Sequence, residues 1–349
     1  MPQFHSLKIK EIKKETSAAV SILFEIPKDL KKQFAFVAGQ YVTLKTNIEG
    51  DEIRRAYSIC SSPHSGDLKI AVKAIENGIF SNYAYNKLNN GDSIEVSAPE
   101  GSFLLETDEN SQKNYVGFVA GSGITPVLSM IKSILDAEKK STFTLIYGNK
   151  TAAETIFKDE IDTLSQKYIA RINVTYVFSR ETNKEGGQGR IDKELVKSIV
   201  KDTYKHMTFD AVYLCGPEQM IHTVSDTLIE NSFSKENIHY ELFVSAAKTK
   251  ESNISEGVSE ITVLVDDEET TFTMDQKDTI LAASLRENID APYSCQGGVC
   301  SSCMALVTEG KAMMTSNSIL TEEEIEEGFI LTCKAHPTTE KISIDFDDV

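Results

Sequence analysis

Three cysteines within nine positions, in the loop SCQGGVCSSC, limit most narrowly what this chain can fold into. Cys295, Cys300 and Cys303 read C-x4-C-x2-C, and Cys333 follows after 29 intervening residues in LTCKAHP. Four thiolates can hold zinc or an iron–sulfur cluster, and the spacing separates the two. Structural zinc sites usually pair their ligands in two short C-x2–4-C knuckles, whereas here three ligands share one loop and the fourth stands apart. The spacing favours [2Fe–2S], with zinc or inert buried thiols as the competing readings. Gly297, Gly298, Ser301 and Ser302 are small enough to let a tight loop approach inorganic sulfide and to leave backbone N–H groups free for it. Cys60 and Cys215 lie far upstream and share no spacing with these four.

The remaining chain is long enough for two or three domains, each with its own core, in 349 residues. The start, MPQFHSLKIKEIKKE, lacks an apolar run followed by a small-residue cleavage site, and no stretch has the apolar length of a membrane span. A cytoplasmic protein is expected, where clustered cysteines bind metal or do chemistry more often than they form disulfides. The formal charge of −17 is unevenly spread: Ser259 to Val349 holds 19 acidic and 5 basic residues, a net −14. Such a surface disfavours nucleic acid and anionic membranes. It either steers a basic protein toward it or only confers solubility.

Residues 1–108 read as short alternating runs, LKIKEI, AVSILFEI, YVTLKT, YSIC, LKIAVKAI and SIEVSA, divided by Gly, Pro and Asn. That pattern predicts an antiparallel β-barrel or sandwich. From 109 to 244 apolar strands alternate with helical stretches: YVGFVA, TPVLSMIKSILDAEK, TFTLIYGN, a helix around Ala153 to Lys167, NVTYVFS, DKELVKSIV, AVYLCG and PEQMIHTVSDTLIENS. The alternation predicts an α/β parallel sheet with helices on its faces. A polar stretch, 245–258, reads as a linker. The last unit, 259–349, opens with a hairpin in EITVLVDDEETTFTM, carries the helical segments TILAASLRENI and TEEEIEEG, and closes on the strand KISIDF.

Several short motifs carry chemistry of their own. RAYS offers a guanidinium for a phosphate (Arg55), an aromatic cover for an isoalloxazine (Tyr57) and a hydroxyl for its N5 region (Ser58). The same residues also suit an ordinary strand with a polar end. AGSGITP puts Gly121 and Gly123 between a buried strand and a helix, where backbone can approach a dinucleotide phosphate; it is not the G-x-G-x-x-G fingerprint. CGP, Cys215 to Pro217, stands at a second strand-to-helix junction, where a lone Cys is more often packing than catalysis. Ser179 and Arg180 in FSRE, and Arg190 in GQGRI, can grip a 2′-phosphate, or be solvated loop residues.

Taken in order, these motifs resemble the ferredoxin–NADP reductase family. RAYS matches its R-x-Y-S flavin signature, and Gly78 with Ser81 in NGIFSNY match the G-x-x-S that seats the flavin pyrophosphate. The resemblance implies that Val72, Lys73 and Ala74 line the flavin. It makes Gly121, Gly123, Thr125 and Pro126 a G-x-G-x-T-P nucleotide loop, and places Cys215, Gly216 and Pro217 beside the nicotinamide. Glu241 and Phe243 in YELF would close the flavin face, with Ser58, Cys215 and Glu241 acting in catalysis. From Ser259 onward the chain resembles a plant-type ferredoxin, an α+β β-grasp domain. By that resemblance Cys295, Cys300, Cys303 and Cys333 are the cluster ligands. The expected cofactors are FAD, a [2Fe–2S] cluster and NADPH; FMN and NADH are alternatives. The order of domains most resembles the reductase components of phenylacetyl-CoA epoxidase systems, and reductases of Rieske oxygenases, steroid hydroxylases and acyl desaturases share much of it. The implied partner is an oxygenase component that meets the acidic ferredoxin surface. A redox-sensing module without turnover is the non-enzymatic alternative.

Overall fold

The computed structural model describes residues 3–181, 189–242, 254, 256–298, 300–317 and 319–349. Most of the stretch read as a linker lies outside these, as does Phe243. The N-terminal strands are β1 (Phe4–Thr16), β2 (Ala19–Glu25), β3 (Tyr41–Ile48), β4 (Asp51–Ser58), β5 (Leu68–Lys73) and, after the helix α1 (Ile79–Asn86), β6 (Ser93–Ser97). They pair antiparallel in the order β4-β3-β6-β1-β2-β5. Ile59, just past β4, bridges Ile70 on β5 and brings the two edges together as a barrel. The alternation read from sequence sends Leu7, Ile22, Leu44, Ile70 and Val96 into one core.

The middle unit runs β7 (Asn114–Ala120), α2 (Ile124–Ala137), β8 (Thr142–Asn149), α3 (Lys158–Lys167), β9 (Ile172–Phe178), α4 (Lys193–Ser198), β10 (Ala211–Gly216), α5 (Glu218–Glu230) and β11 (Ile238–Leu242). Its five strands are all parallel, in the order β11-β10-β7-β8-β9. β7, β8 and β10 are apolar without alternation because helices cover both faces. The helix expected around Ala153 to Lys167 begins only at Lys158. Thr151 caps a short turn over Ala152–Glu154, and the buried Phe157 takes a left-handed φ of 60°, which interrupts helical hydrogen bonding before Lys158. Helix α2 is apolar nearly all round because it lies between this sheet and the barrel. From it Ser129 Oγ donates to the Ser61 carbonyl at 2.7 Å and Lys132 Nζ to that of Cys60 at 2.9 Å. One apolar core runs from Ala38 and Phe103 of the barrel to Val127, Ile131 and Tyr147 of the nucleotide unit.

The third unit contains β12 (Val258–Val265), β13 (Glu268–Asp275), α6 (Ile280–Arg286), β14 (Met304–Glu309), β15 (Ala312–Met314), α7 (Glu322–Glu327), β16 (Phe329–Leu331), β17 (Ala335–Pro337) and β18 (Lys341–Asp345). Five strands form a mixed sheet, β13-β12-β18-β14-β16, with β12 and β18 parallel at its centre. Ile280, Leu281 and Ala283 of α6 join the core formed with Ile261, Ile342 and Ile344, the grasp of a sheet round one helix. TEEEIEEG is a helix as expected, started by a reciprocal capping box between Thr321 and Glu324.

Candidate active site

The cleft between barrel and parallel sheet gathers the three residues expected to act together. Cys215 and Glu241 are register partners on the parallel pair β10–β11, and Ser58 at the end of β4 reaches across to donate its Oγ to Glu241 Oε2 at 3.4 Å. Burial pushes the Glu241 carboxyl up to about 8, and the Ser58 hydrogen bond only partly opposes it. Burial, with Glu241 second, pushes the Cys215 thiol well above its ordinary value. Cys215 is therefore a neutral thiol at physiological pH, suited to packing against a ring and not to attacking one.

Gly123 shows why the turn after β7 needs a glycine. A Cβ there would stand 2.3 Å from the Cys215 carbonyl oxygen, so the two strand-to-helix turns touch through bare backbone. Thr125 Oγ1 donates to the Ser122 carbonyl at 3.0 Å, and Pro126 is buried within the first turn of α2. Tyr147 Oη donates to the Gly121 carbonyl at 2.9 Å, holding the glycine turn from below. Gly216 and Pro217 form the second turn, with Pro217 at the N-cap of α5. The Lys73 ammonium faces Gly121, 3.8 Å from where a Cβ would be. Burial first, and Lys150 second, press its pKa down. A cation held beside a glycine turn, with a second one acting on it, is what a diphosphate would neutralise.

The barrel residues divide by exposure. Arg55 is exposed, and Tyr57 packs on Phe80 with ring centroids 5.5 Å apart. Val72 is buried in the barrel core, and Ala74 N donates to the Ala18 carbonyl. Gly78 caps α1, and Ser81 Oγ donates back to the Gly78 carbonyl at 3.3 Å while accepting from Ile75 N. At the far edge of the sheet, Ser179 and Arg180 are exposed just past β9. Gly189 N donates to the Phe178 carbonyl at 3.0 Å, which returns the exposed Arg190 beside them. All three therefore stand at the carboxyl ends of parallel strands, where such sheets bind nucleotides. Asn149, in YGNK at the end of β8, sets its buried side-chain amide beside the Tyr147 hydroxyl.

The four thiols, three in the loop and Cys333 after it, are buried and arranged as two pairs. Cys295 and Cys300 have sulfurs 3.0 Å apart, and Cys303 is hydrogen-bonded with Cys333. Cys300 is pulled below the ordinary thiol range, chiefly by its hydrogen bond with Cys295. Gly297 N donates to Cys295 Sγ at 3.2 Å, and Gly298 takes a left-handed φ of 73° that closes the loop round the sulfurs. Among the described residues no three thiols, carboxylates or imidazoles gather at one point, whereas a cluster of two irons takes its sulfurs two and two.

Comparison with known proteins agrees domain by domain. An oxidoreductase FAD-binding domain model matches residues 6–104, an oxidoreductase NAD-binding domain model 118–226, and a 2Fe-2S iron-sulfur cluster binding domain model 263–338. A 1,2-phenylacetyl-CoA epoxidase subunit of Escherichia coli (strain K12) is 37% identical over 351 residues, 99% of each chain. The chain belongs to the ferredoxin–NADP reductase family, in the branch with a C-terminal [2Fe–2S] domain. The ferredoxin reductase component of a 3-ketosteroid-9-alpha-monooxygenase from Rhodococcus rhodochrous is 31% identical over 97% of this chain and 96% of its own. Phthalate dioxygenase reductase shares the fold at a TM-score of 0.66 and 23% identity, over 98% of both chains. This is an NAD(P)H-dependent electron-transfer flavoprotein whose barrel binds FAD and whose last domain binds [2Fe–2S].

Within this family member the cluster loop sits directly on the flavin barrel. Tyr41 and Ala56, from β3 and β4, pack on Cys295 and Cys300. Thr43 and Ser294 share a buried hydroxyl hydrogen bond of 2.5 Å, Ser302 Oγ donates to Glu100 Oε2 at 3.2 Å, and the Arg54 guanidinium lies 4.4 Å from the Tyr293 ring centre. None of Tyr41, Thr43, Arg54 or Glu100 carries a sequence motif. Only Arg54, beside the RAYS signature, stands near one.

Proposed function

We propose that the chain takes electrons from NADPH and delivers them singly to an oxygenase component that epoxidises phenylacetyl-CoA, in cytoplasmic phenylacetate catabolism. One observation supports the electron path above all. Tyr41 and Ser58 are register partners on the β3–β4 hairpin, so a single strand pair touches the cluster thiols on one side and the Glu241–Cys215 cleft on the other. When bound, the flavin accepts two electrons as a hydride and the cluster accepts one electron at a time.

The residues act on position and charge. Gly121, Gly123, Thr125 and Pro126 carry the dinucleotide phosphates with Lys73; Cys215, Gly216 and Pro217 hold the nicotinamide ring flat; and Arg55, Tyr57, Val72, Ala74, Gly78 and Ser81 seat the flavin. Glu241 keeps a proton on its carboxyl at neutral pH, with Ser58 as its hydrogen-bond partner. Cys295, Cys300, Cys303 and Cys333 ligate the cluster. The proposed domain limits are 108/109, 244/245 and 258/259; the second lies outside the described residues, and β12 already begins at Val258. Arg180, with Ser179 and Arg190, favours NADPH because a guanidinium can bond a 2′-phosphate twice. The epoxidase assignment rests on the strength and length of the likeness to the Escherichia coli epoxidase sequence.

The test is reconstitution with a phenylacetyl-CoA epoxidase oxygenase component. NADPH oxidation coupled to loss of phenylacetyl-CoA is expected, with Arg180→Gln raising the NADPH KM about tenfold or more, the size of a lost charge-assisted hydrogen bond, and leaving that for NADH unchanged. Uncoupled NADPH oxidation, or equal effects on both nucleotides, would refute the respective half of this proposal.

A further inference from the structure

An electron loaded from the flavin side must leave the cluster by another face, and the four ligands are not equivalent in what they offer. Cys295 and Cys300 are closed off by Tyr41 and Ala56, each thiol residue 1% exposed. Cys303, also 1% exposed, lies in the ferredoxin core, where its carbonyl accepts from both Thr332 N and Thr332 Oγ1. Cys333 is 5% exposed and lines a groove of about 380 Å³ with Thr279, Leu281, Ala282, Leu285, Arg286 and Gln296. Ala282, Arg286 and Gln296 are exposed at its rim, so the groove opens to solvent beside α6.

We propose that this groove is the electron exit: the docking site at which a basic acceptor protein inserts a small apolar projection toward Cys333. The inference rests on the electron path proposed above. Charge supports the occupant. The domain from Ser259 onward carries a net −14, and the cation at the rim, Arg286, is already paired with Asp278 at 2.5 Å. A basic surface is therefore attracted and not repelled at this face. The floor is apolar through Leu281 and Leu285, and a groove of this volume admits only one or two side chains. The contact is small and transient, as electron-transfer encounters are. The face opposite, against the barrel, need not open for the electron to leave.

Cytochrome c, a basic one-electron acceptor, serves as the probe with the full-length holoprotein. Ala282→Trp fills the groove and Ala282→Lys adds a cation that repels a basic partner; both stand at an exposed helical position, so the fold tolerates them. Both variants are expected to raise the KM for cytochrome c about tenfold, ~1.4 kcal/mol, while reduction of the cluster by NADPH without acceptor proceeds at the native rate. Ile325→Trp on α7, an equally exposed site away from the groove, is expected to change neither. Hydrogen exchange of the oxidised protein mixed with oxidised cytochrome c gives an independent readout, with protection expected over 279–287. A native KM in both Ala282 variants, or protection on α7 or in the barrel-facing loop instead, would overturn the exit. A native protein whose cluster NADPH does not reduce would overturn the electron path beneath it, a separate and distinguishable result.

Discussion

The barrel meets its two neighbours in different ways. Against the nucleotide domain it shares one continuous apolar core, crossed by α2 and by buried bonds from Ser129 and Lys132 to barrel carbonyls. Against the ferredoxin domain it offers a small patch, Tyr41 and Ala56 with Cys295 and Cys300, ringed by hydroxyls, a carboxylate and a stacked guanidinium. The chemistry at each junction explains the contrast. Hydride transfer needs the nicotinamide and flavin held within a near-attack distance, so that cleft is fixed by a core that cannot shift. A single electron tolerates a looser contact, and a polar, modest interface suffices there.

Ile131→Ala should produce the largest effect, because Ile131 is fully buried in the shared core. A loss of ~2–5 kcal/mol is expected, with barrel and parallel sheet melting together in calorimetry. Separate melting of the two would break the comparison at its stronger junction.

Arg54→Ala should cost less, about 0.5–2 kcal/mol from the lost stacking on Tyr293. Stopped-flow traces are expected to show slower cluster reduction after an unchanged flavin bleaching step. A slowed flavin step would mean that the two junctions are coupled.

Glu241→Gln sharpens the comparison through pH. The folded carboxyl is pushed up from 4.5 to about 8, so its contribution is complete below pH 4.5 and is lost as pH rises toward 8. Relative to the native protein, the melting temperature of the cofactor-free variant should gain steadily across that window and level off above it. A difference independent of pH would show that Glu241 ionises normally in the fold.

Much of this is legible in the chain. Alternation in LKIKEI and SIEVSA marks barrel strands because one face of each is solvated. The unbroken apolar runs YVGFVA and AVYLCG mark parallel strands because both faces are covered. Ser58, Cys215 and Glu241 carry motifs and meet in the cleft, although 183 residues separate Ser58 from Glu241. The start of α3 escapes a sequence reading because Phe157, a residue with no local preference for it, takes a left-handed turn there. The ferredoxin junction is not legible either. The Thr43–Ser294 bond joins positions 251 residues apart, and Tyr41 looks like any alternating strand residue. Interfaces between domains depend on surfaces that only the assembled fold brings together.

The central claim is that electrons pass from nicotinamide through the flavin to the four-cysteine cluster. Anaerobic single-turnover spectroscopy of the holoprotein with limiting NADPH tests it most directly, following flavin absorbance and the cluster's electron paramagnetic resonance together. The account predicts that flavin bleaches first and that the reduced-cluster signal then grows as the flavin reoxidises, with NADPH acting faster than NADH. A reduced flavin beside a cluster that stays oxidised, while cytochrome c is still reduced, would contradict it.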